Sequence, residues 1–243
     1  MANILTTLVD RQSRKYNDRA ALYRRENDGK WLPTSWTELA GKINLAACAL
    51  EILGIKEQDT VAVFSPNDPD IIITDFAAFA NRAVPVSIYA TSSQQQVEYI
   101  VRDSHAKILF TGNQDQYVIA RKVVADLHSP IQIVTYSNVA LEPDDHSTLT
   151  FDALLRLGEA ASDDCRSEVA RRTAAATPDD IATLLYTSGT TGDPKGAILP
   201  HSCFNAALEM HHHRLTSLSD ADTSLCFLPL SHIFEKAWTY FCL

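Results

Sequence analysis

The sequence predicts an α/β fold in which βαβ units form a parallel-rich sheet flanked by helices. Short runs of β-branched and other apolar residues recur about 25 residues apart; they lie at positions 60–64, 84–88, 107–110 and 132–135. The stretches between these runs, at 69–81, 93–103 and 114–127, are typical of helices. Strands that alternate with helices at this spacing pair in parallel, because each helix carries the chain back along the sheet.

The chain before the first of these strands predicts a hairpin followed by a helix. Two short runs flank a polar turn at 26–29, which suits a pair of antiparallel strands. Ser35 and Glu38 have the spacing of a capping box, in which each residue satisfies a backbone N–H near the other. Apolar residues then recur every three or four positions until Gly54, so the helix is expected to end there.

The second half of the chain predicts a helical connection and then a second group of strands. Helices are expected at 151–159 and 164–175, strands at 181–186, 196–199 and 223–228, and a helix at 201–216. The chain is thereby divided into a hairpin and helix (1–58), a βαβ region (59–140), a helical connection (141–177) and a last region (178–243).

Composition narrows the class of protein. The chain has 243 residues and a net charge of −9 without a basic stretch, which argues against sequence-independent nucleic-acid binding. Five scattered cysteines without a C-x-x-C pair favour free thiols in a reducing compartment. We find no N-terminal leader pattern and no apolar stretch long enough to span a bilayer, and therefore expect a cytoplasmic location.

The most informative segment is 184–196, which reads LLYTSGTTGDPKG. Glycines allow a tight turn whose N–H groups converge on an anion, and hydroxyl and ammonium groups supply further donors. The spacing differs from the G-x-x-x-x-G-K-[ST] phosphate loop, since Lys195 lies three positions after Gly192 instead of directly after it. The segment predicts a triphosphate-binding loop of another type, with the candidate residues Thr187, Ser188, Gly189, Thr190, Thr191, Gly192 and Lys195.

This segment resembles the phosphate-binding signature of the AMP-forming acyl-adenylating enzymes, which include acyl-CoA synthetases, adenylation domains of peptide synthetases and firefly luciferase. Residues 225–235, LCFLPLSHIFE, are similar to the "LPLSH.FE" stretch of the long-chain fatty acid CoA ligases. Residues 83–93 resemble the "P.Y.TSS" segment of the same branch. The resemblance extends from about Trp36 to the end of the chain and is strongest in these three segments.

The resemblance implies a two-step ligase reaction. A fatty acid carboxylate attacks the α-phosphate of ATP to give an acyl-adenylate, and coenzyme A then displaces AMP. By resemblance, the loop residues bind the β- and γ-phosphates, Thr187 lies near magnesium, and Lys195 adds a mobile positive charge. His232 is the expected catalytic residue at the carboxylate end of the acyl pocket, while Phe234 and Glu235 are weaker candidates for the pocket lining.

The family's adenine pocket, its "Y-G-x-T-E" segment and its mobile C-terminal domain with a catalytic lysine have no match here. The chain is therefore expected to be an incomplete N-terminal portion of an AMP-binding domain, inactive alone and able to self-associate through exposed apolar surface. The expected partners are fatty acid, ATP and CoA, not nucleic acid, and peripheral membrane contact is compatible with a fatty acid substrate.

Several alternatives remain open at this point. The polar loop could be a surface turn, Lys195 a solvated lysine, His232 a structural histidine and Phe234 a core residue. The run of histidines at 211–213 is unsuited to a single metal site, because neighbours on a helix point about 100° apart. The parent enzyme could activate another carboxylic acid, or the chain could be a truncated nucleotide-binding domain without catalysis.

Overall fold

The computed structural model describes residues 4–26, 28–136, 139–187 and 194–243. A helix, α1 (Ile4–Tyr16), precedes the antiparallel hairpin of β1 (Ala20–Arg25) and β2 (Trp31–Ser35), which leads into α2 (Trp36–Ile52). The predicted capping box is formed: the Ser35 N–H donates to the Glu38 carboxylate across 2.8 Å, and the Glu38 N–H donates to the Ser35 hydroxyl across 3.2 Å. Gly54 follows the helix in the left-handed region, with φ +83°.

The βαβ region contains alternating strands and helices at the predicted places. They are β3 (Thr60–Phe64), α3 (Pro69–Ala80), β4 (Val84–Ile88), α4 (Gln94–Asp103), β5 (Ile108–Thr111), α5 (Gln114–Leu127) and β6 (Gln132–Thr135). The short β7 (Leu149–Thr150), α6 (Phe151–Glu159) and α7 (Asp163–Ala175) follow. The last elements are β8 (Ile181–Thr187), β9 (Lys195–Pro200), α8 (His201–Arg214) and α9 (Ile233–Cys242).

Within the described residues, a seven-stranded sheet has the order β7-β6-β5-β3-β4-β8-β9. Six strands are parallel, and only β9 runs antiparallel to its neighbour, β8. The predicted parallel-rich α/β fold is confirmed. The parallel strands all end at one edge of the sheet, and the loops that leave this carboxyl edge are where open α/β sheets bind their ligands.

Helices cover both faces of the sheet. Alternate residues of β3 show the division: Val61 and Val63 pack in the larger apolar cluster with α2, α3 and α9, whereas Ala62 and Phe64 pack in a second cluster under α4 and α5. Burial on both faces explains why these strands are continuously apolar in sequence.

The predicted strand at 223–228 is wrong: the structure assigns no strand there. Side-chain exposure nonetheless alternates along the segment as it does in a strand: Leu225 and Phe227 are exposed, while Cys226 and Leu228 are half-buried. A strand requires a backbone ladder with a neighbour, and among the described residues the segment is held by a side chain instead. Helix α1, which buries Leu5 and Val9, was not predicted.

Candidate functional site

The two described ends of the predicted phosphate loop lie side by side at the carboxyl edge of the sheet. Thr187 is the last residue of β8 and Lys195 the first of β9, and the two are register partners in the antiparallel pair. Both side chains are exposed. The other candidate loop residues lie outside the described residues: Ser188, Gly189, Thr190, Thr191 and Gly192.

Side-chain contacts hold strand β8 against neighbouring elements. The Thr183 hydroxyl donates to the Pro85 carbonyl of the neighbouring strand across 2.7 Å. One residue before Thr187, the Tyr186 hydroxyl donates to the Asp103 carboxylate across 2.6 Å, and burial, followed by this carboxylate, raises the pKa of the phenol. A side chain at Gly196 would meet the Tyr186 ring at 3.0 Å, so the glycine allows β9 to lie against the ring.

His232 is the N-cap residue of α9, and its side chain is exposed. Its Nδ1 accepts a hydrogen bond from the Phe234 backbone N–H across 3.2 Å. A neutral imidazole that accepts at Nδ1 carries its proton on Nε2. The cap therefore selects the tautomer whose Nε2–H donates, and a carboxylate oxygen is a suitable acceptor for that donor.

The two residues after this turn differ sharply in exposure. Phe234 is 56% exposed, so it does not pack as a core residue in this chain. Glu235 is only 2% exposed, and its Oε1 has no hydrogen-bond partner among the described residues. Burial, together with a hydrogen bond to Glu235, raises the pKa of the Cys226 thiol to about 12.

Three residues that the sequence did not single out hold the segment around His232. Asn67, in the loop after β3, binds the backbone of Leu228 and Leu230 through its side-chain amide. Asp75, in α3, pairs with Lys236, and both side chains are fully buried. The available sequence signal for Asp75 and Lys236 was a charge within a largely apolar helix, although α3 and α9 each carry one other charged residue. Asn67 carried no such signal.

Among these anchors, Asn67 attaches the segment before His232 to the loop after β3. Asn67 leaves the carboxyl end of β3, and Thr187 ends β8, with only β4 between them in the sheet. Two strand spacings correspond to about 10 Å. The segment before His232 is thus bound at the carboxyl edge of the sheet, the edge at which β8 ends at Thr187.

A separate cleft of about 510 Å³ lies between the hairpin and the ends of β6 and β7. Arg24 lies on its wall and is already paired with Asp68 and Asp70, at 2.9 and 2.8 Å. Strand β6 is four strands from β8, or about 19 Å. None of the candidate residues that the structure describes lines this cleft.

In the described parts of the chain, no helix has the length and apolarity needed to cross a bilayer. The same residues contain no cluster of three or more histidine, cysteine or acidic side chains that could hold a metal ion. Among the described candidate residues, Thr187 carries a hydroxyl oxygen, a ligand type that magnesium accepts.

Comparison with known proteins identifies the family of the chain. The family model described as AMP-binding enzyme matches residues 9–243. The long-chain-fatty-acid–CoA ligase FadD15 of Mycobacterium bovis is 36% identical over 222 residues, which cover 89% of this chain and 34% of that protein. Fatty acyl-CoA synthetase A of Dictyostelium discoideum is 28% identical over 225 residues, with 88% and 31% covered.

Solved structures share the fold. A putative long-chain-fatty-acid CoA ligase from Rhodopseudomonas palustris superimposes with a TM-score of 0.77 at 18% identity, covering 98% of this chain and 54% of that one. Acetoacetyl-CoA synthetase from Streptomyces lividans gives 0.80 at 19% identity, covering 98% and 36%. The chain spans about a third of the length of the curated relatives it matches. It belongs to the AMP-binding enzyme family, among relatives that are long-chain fatty acid CoA ligases.

Proposed function

We propose that the protein to which this chain belongs activates a long-chain fatty acid with ATP, forming an acyl-adenylate and then an acyl-CoA. The observation that supports the proposal is that Asn67 binds the segment before His232 at the sheet edge where Thr187 and Lys195 lie side by side. A carboxylate and a triphosphate must be brought together for this reaction. The strand β3, after which Asn67 binds the segment before His232, is two strand spacings from β8, which ends at Thr187.

Each described candidate residue has a specific role in the proposal. Lys195 contributes a compact positive charge against the triphosphate, and the Thr187 hydroxyl lies where it can bind a phosphate or a hard cation. The loop residues at 188–192 bind the β- and γ-phosphates. When bound, magnesium supplies positive charge that offsets the charge developing on pyrophosphate.

His232 orients the fatty acid. Its Nδ1 is occupied by the Phe234 N–H, so its Nε2–H is free to donate to one carboxylate oxygen and leave the other directed at the α-phosphate. The exposed Phe234 ring is next to this histidine and provides apolar surface for the acyl chain. Glu235 is buried and is proposed to support the segment rather than to contact substrate. Coenzyme A is the proposed acceptor in the second step.

The relatives are about three times as long as this chain, so the activity of the 243-residue chain alone is a separate matter. We propose that the chain by itself does not catalyse ligation, because phosphate contacts alone provide only part of the binding energy for ATP. We propose a cytoplasmic location, with fatty acid, ATP and CoA as partners.

The test is carboxylate-dependent ATP–pyrophosphate exchange, with acids from acetate to palmitate, on the full product of the gene and on the 243-residue chain. Exchange by the full product that peaks at C12–C18 supports the proposal. A peak at short or aromatic acids would contradict the proposed long-chain substrate but still support the adenylation chemistry. ATP binding without exchange by the full product would favour a non-catalytic nucleotide-binding protein.

A further inference from the structure

We propose that Asn67 and the Asp75–Lys236 pair are positioning residues for His232, so that the segment from β3 into α3 sets the orientation of the imidazole. The inference rests on the role proposed for His232, which is itself exposed. The two anchors hold segments on either side of the histidine in sequence. Asn67 holds the backbone before the N-cap residue, and the Asp75–Lys236 pair holds the helix α9 that follows it.

The first anchor is a side chain that replaces a neighbouring strand. Asn67 Nδ2 donates to the Leu228 carbonyl across 2.7 Å, and Asn67 Oδ1 accepts from the Leu230 N–H across 2.8 Å. A donor and an acceptor directed at residues i and i+2 reproduce the bonding that an adjacent β-strand would offer. The amide thereby aligns the backbone up to two residues before His232, and the buried Leu230, which is 4% exposed, holds that point against the core.

The second anchor begins one helical turn after His232. The Lys236 N–H donates to the His232 carbonyl across 3.1 Å, which closes the first turn of α9. Lys236 Nζ donates to Asp75 Oδ2 across 2.7 Å, and the Tyr240 hydroxyl donates to the same oxygen across 2.8 Å. A shift of α9 along its axis would separate these buried groups, so the network fixes where the helix begins.

A buried ion pair is a poor source of net stability, because removing both charges from water costs about as much as their attraction returns. Its value in such cases can be specificity of register, as established for some polar groups in coiled coils. In this protein the register in question decides which residue is the N-cap of α9. With residue 232 at that position, the imidazole accepts from the Phe234 N–H and is confined to the Nε2–H tautomer.

Both anchors belong to one continuous unit. Asn67 and Asp75 are eight residues apart, on the loop and helix that directly follow the carboxyl end of β3. The strand, the loop and α3 therefore transmit the geometry of the sheet edge to His232. The segment before His232 has few other attachments to the core, because Leu225 and Phe227 are exposed.

The test variant is Asn67→Ala, which changes an exposed side chain. Its matched control is Gln114→Ala. Gln114 is also exposed, and its amide also both donates and accepts, although to a single residue: it donates to the Ala140 carbonyl across 3.1 Å and accepts from the Ala140 N–H across 2.9 Å, in a different part of the molecule. Loss of a generic amide clamp would affect both variants equally, whereas loss of His232 positioning would affect only the first.

Two readouts are needed. The first is the tautomer of His232 in the 243-residue chain, measured by long-range ¹H–¹⁵N correlation and assigned by loss of the signal in His232→Asn. The second is exchange kinetics of the full product. We expect Asn67→Ala to convert a pure Nε2–H tautomer into a mixture and to lower kcat about ten- to a hundredfold, with the KM for ATP within about twofold of wild type. Gln114→Ala should change neither readout.

The second anchor is tested with Asp75→Leu/Lys236→Met, which removes both charges together and avoids an unpaired buried ion. We expect a folded protein with a mixed His232 tautomer and a reduced kcat. Should Asn67→Ala fail to fold, Asn67→Asp replaces it, since it keeps the acceptor for Leu230 and loses the donor for Leu228.

A wild-type tautomer in folded Asn67 and Asp75/Lys236 variants would overturn the inference. So would unchanged kcat in both. Failure of the proposed function has a different signature: His232→Ala would then leave exchange unchanged, while the tautomer measurements would still report whether the anchors position the ring.

Discussion

Lys236 and Asp75 form an ion pair across 2.7 Å in which neither side chain has any exposure to solvent. The two residues are 161 positions apart in the chain and join α9 to α3. Tyr240 completes the group by donating to the same carboxylate oxygen, while burial, more than that carboxylate, raises the pKa of its phenol. The other oxygen, Asp75 Oδ1, has no hydrogen-bond partner among the described residues. An interior pair of this kind is sensitive to the loss of one partner.

The first prediction concerns the stability of this pair. Lys236→Met should lower the free energy of unfolding by about 3–5 kcal/mol, because it leaves the Asp75 carboxylate buried without its counter-ion. Asp75→Leu/Lys236→Met should recover most of that loss or exceed wild type. Urea unfolding followed by circular dichroism measures both. Lys122→Met, at an exposed position of α5, is the control and should stay within about 0.5 kcal/mol of wild type. A single and a double variant of equal stability would show that the charges are not coupled.

The second prediction concerns two helical glycines in opposite situations. A Cβ on Gly158 of α6 would overlap the Leu45 backbone carbonyl of α2, whereas a Cβ on Gly41 of α2 would meet nothing within 4 Å. Gly158→Ala should therefore destabilise the protein by about 1–3 kcal/mol through overpacking. Gly41→Ala should stabilise it by about 0.5–1 kcal/mol through helix propensity. Thermal unfolding of the two variants decides the matter, and a rise in Tm for Gly158→Ala would contradict the close packing of α2 on α6.

The third prediction concerns pH. His201 is 1% exposed, and burial lowers its pKa from 6.5 to about 4. The folded state thus binds the proton more weakly than the unfolded chain. The stability associated with neutral His201 is complete above pH 6.5 and declines as the pH falls towards 4, by about 3 kcal/mol.

The variant that isolates this effect is His201→Phe, which keeps an aromatic ring against Phe79, where the native centroids are 4.9 Å apart. Relative to wild type, the variant should gain stability by about 3 kcal/mol between pH 7.5 and pH 4 in urea titrations. Parallel stability profiles of the two proteins over this range would mean that His201 is protonated as easily in the folded state as in the unfolded chain.

The fourth prediction concerns nucleotide binding by the full product of the gene. Lys195→Ala should raise the KM for ATP about tenfold in pyrophosphate exchange, since a charge-assisted contact to phosphate contributes about 1.5–3 kcal/mol. Lys56→Ala is the matched control: Lys56 is also exposed, but it precedes β3 at the amino edge of the sheet. An equal effect of both substitutions would indicate a general electrostatic contribution rather than a site at the carboxyl edge.

Much of the architecture followed from patterns that are local in sequence. The Ser35–Glu38 box formed as expected because both partners lie within one turn of the helix they start. The helix boundaries of α6, at Phe151 and Glu159, matched for the same reason. The strand expected at 223–228 was wrong. Exposure alternates along this segment as in a strand, but a strand also needs a backbone ladder with a neighbour, which a local pattern does not provide.

The sequence by itself determined the α/β class, the family and the candidate residues Thr187, Lys195 and His232, since hydrophobic periodicity, capping chemistry and motif spacing are all written within short stretches of chain. Only the tertiary structure decided that Asn67 meets Leu228 and that Asp75 meets Lys236, because each contact joins residues 161 positions apart. A hydrogen bond or an ion pair has no sequence period of its own. The fold brings the partners together, and we propose that in this protein these contacts set the orientation of His232.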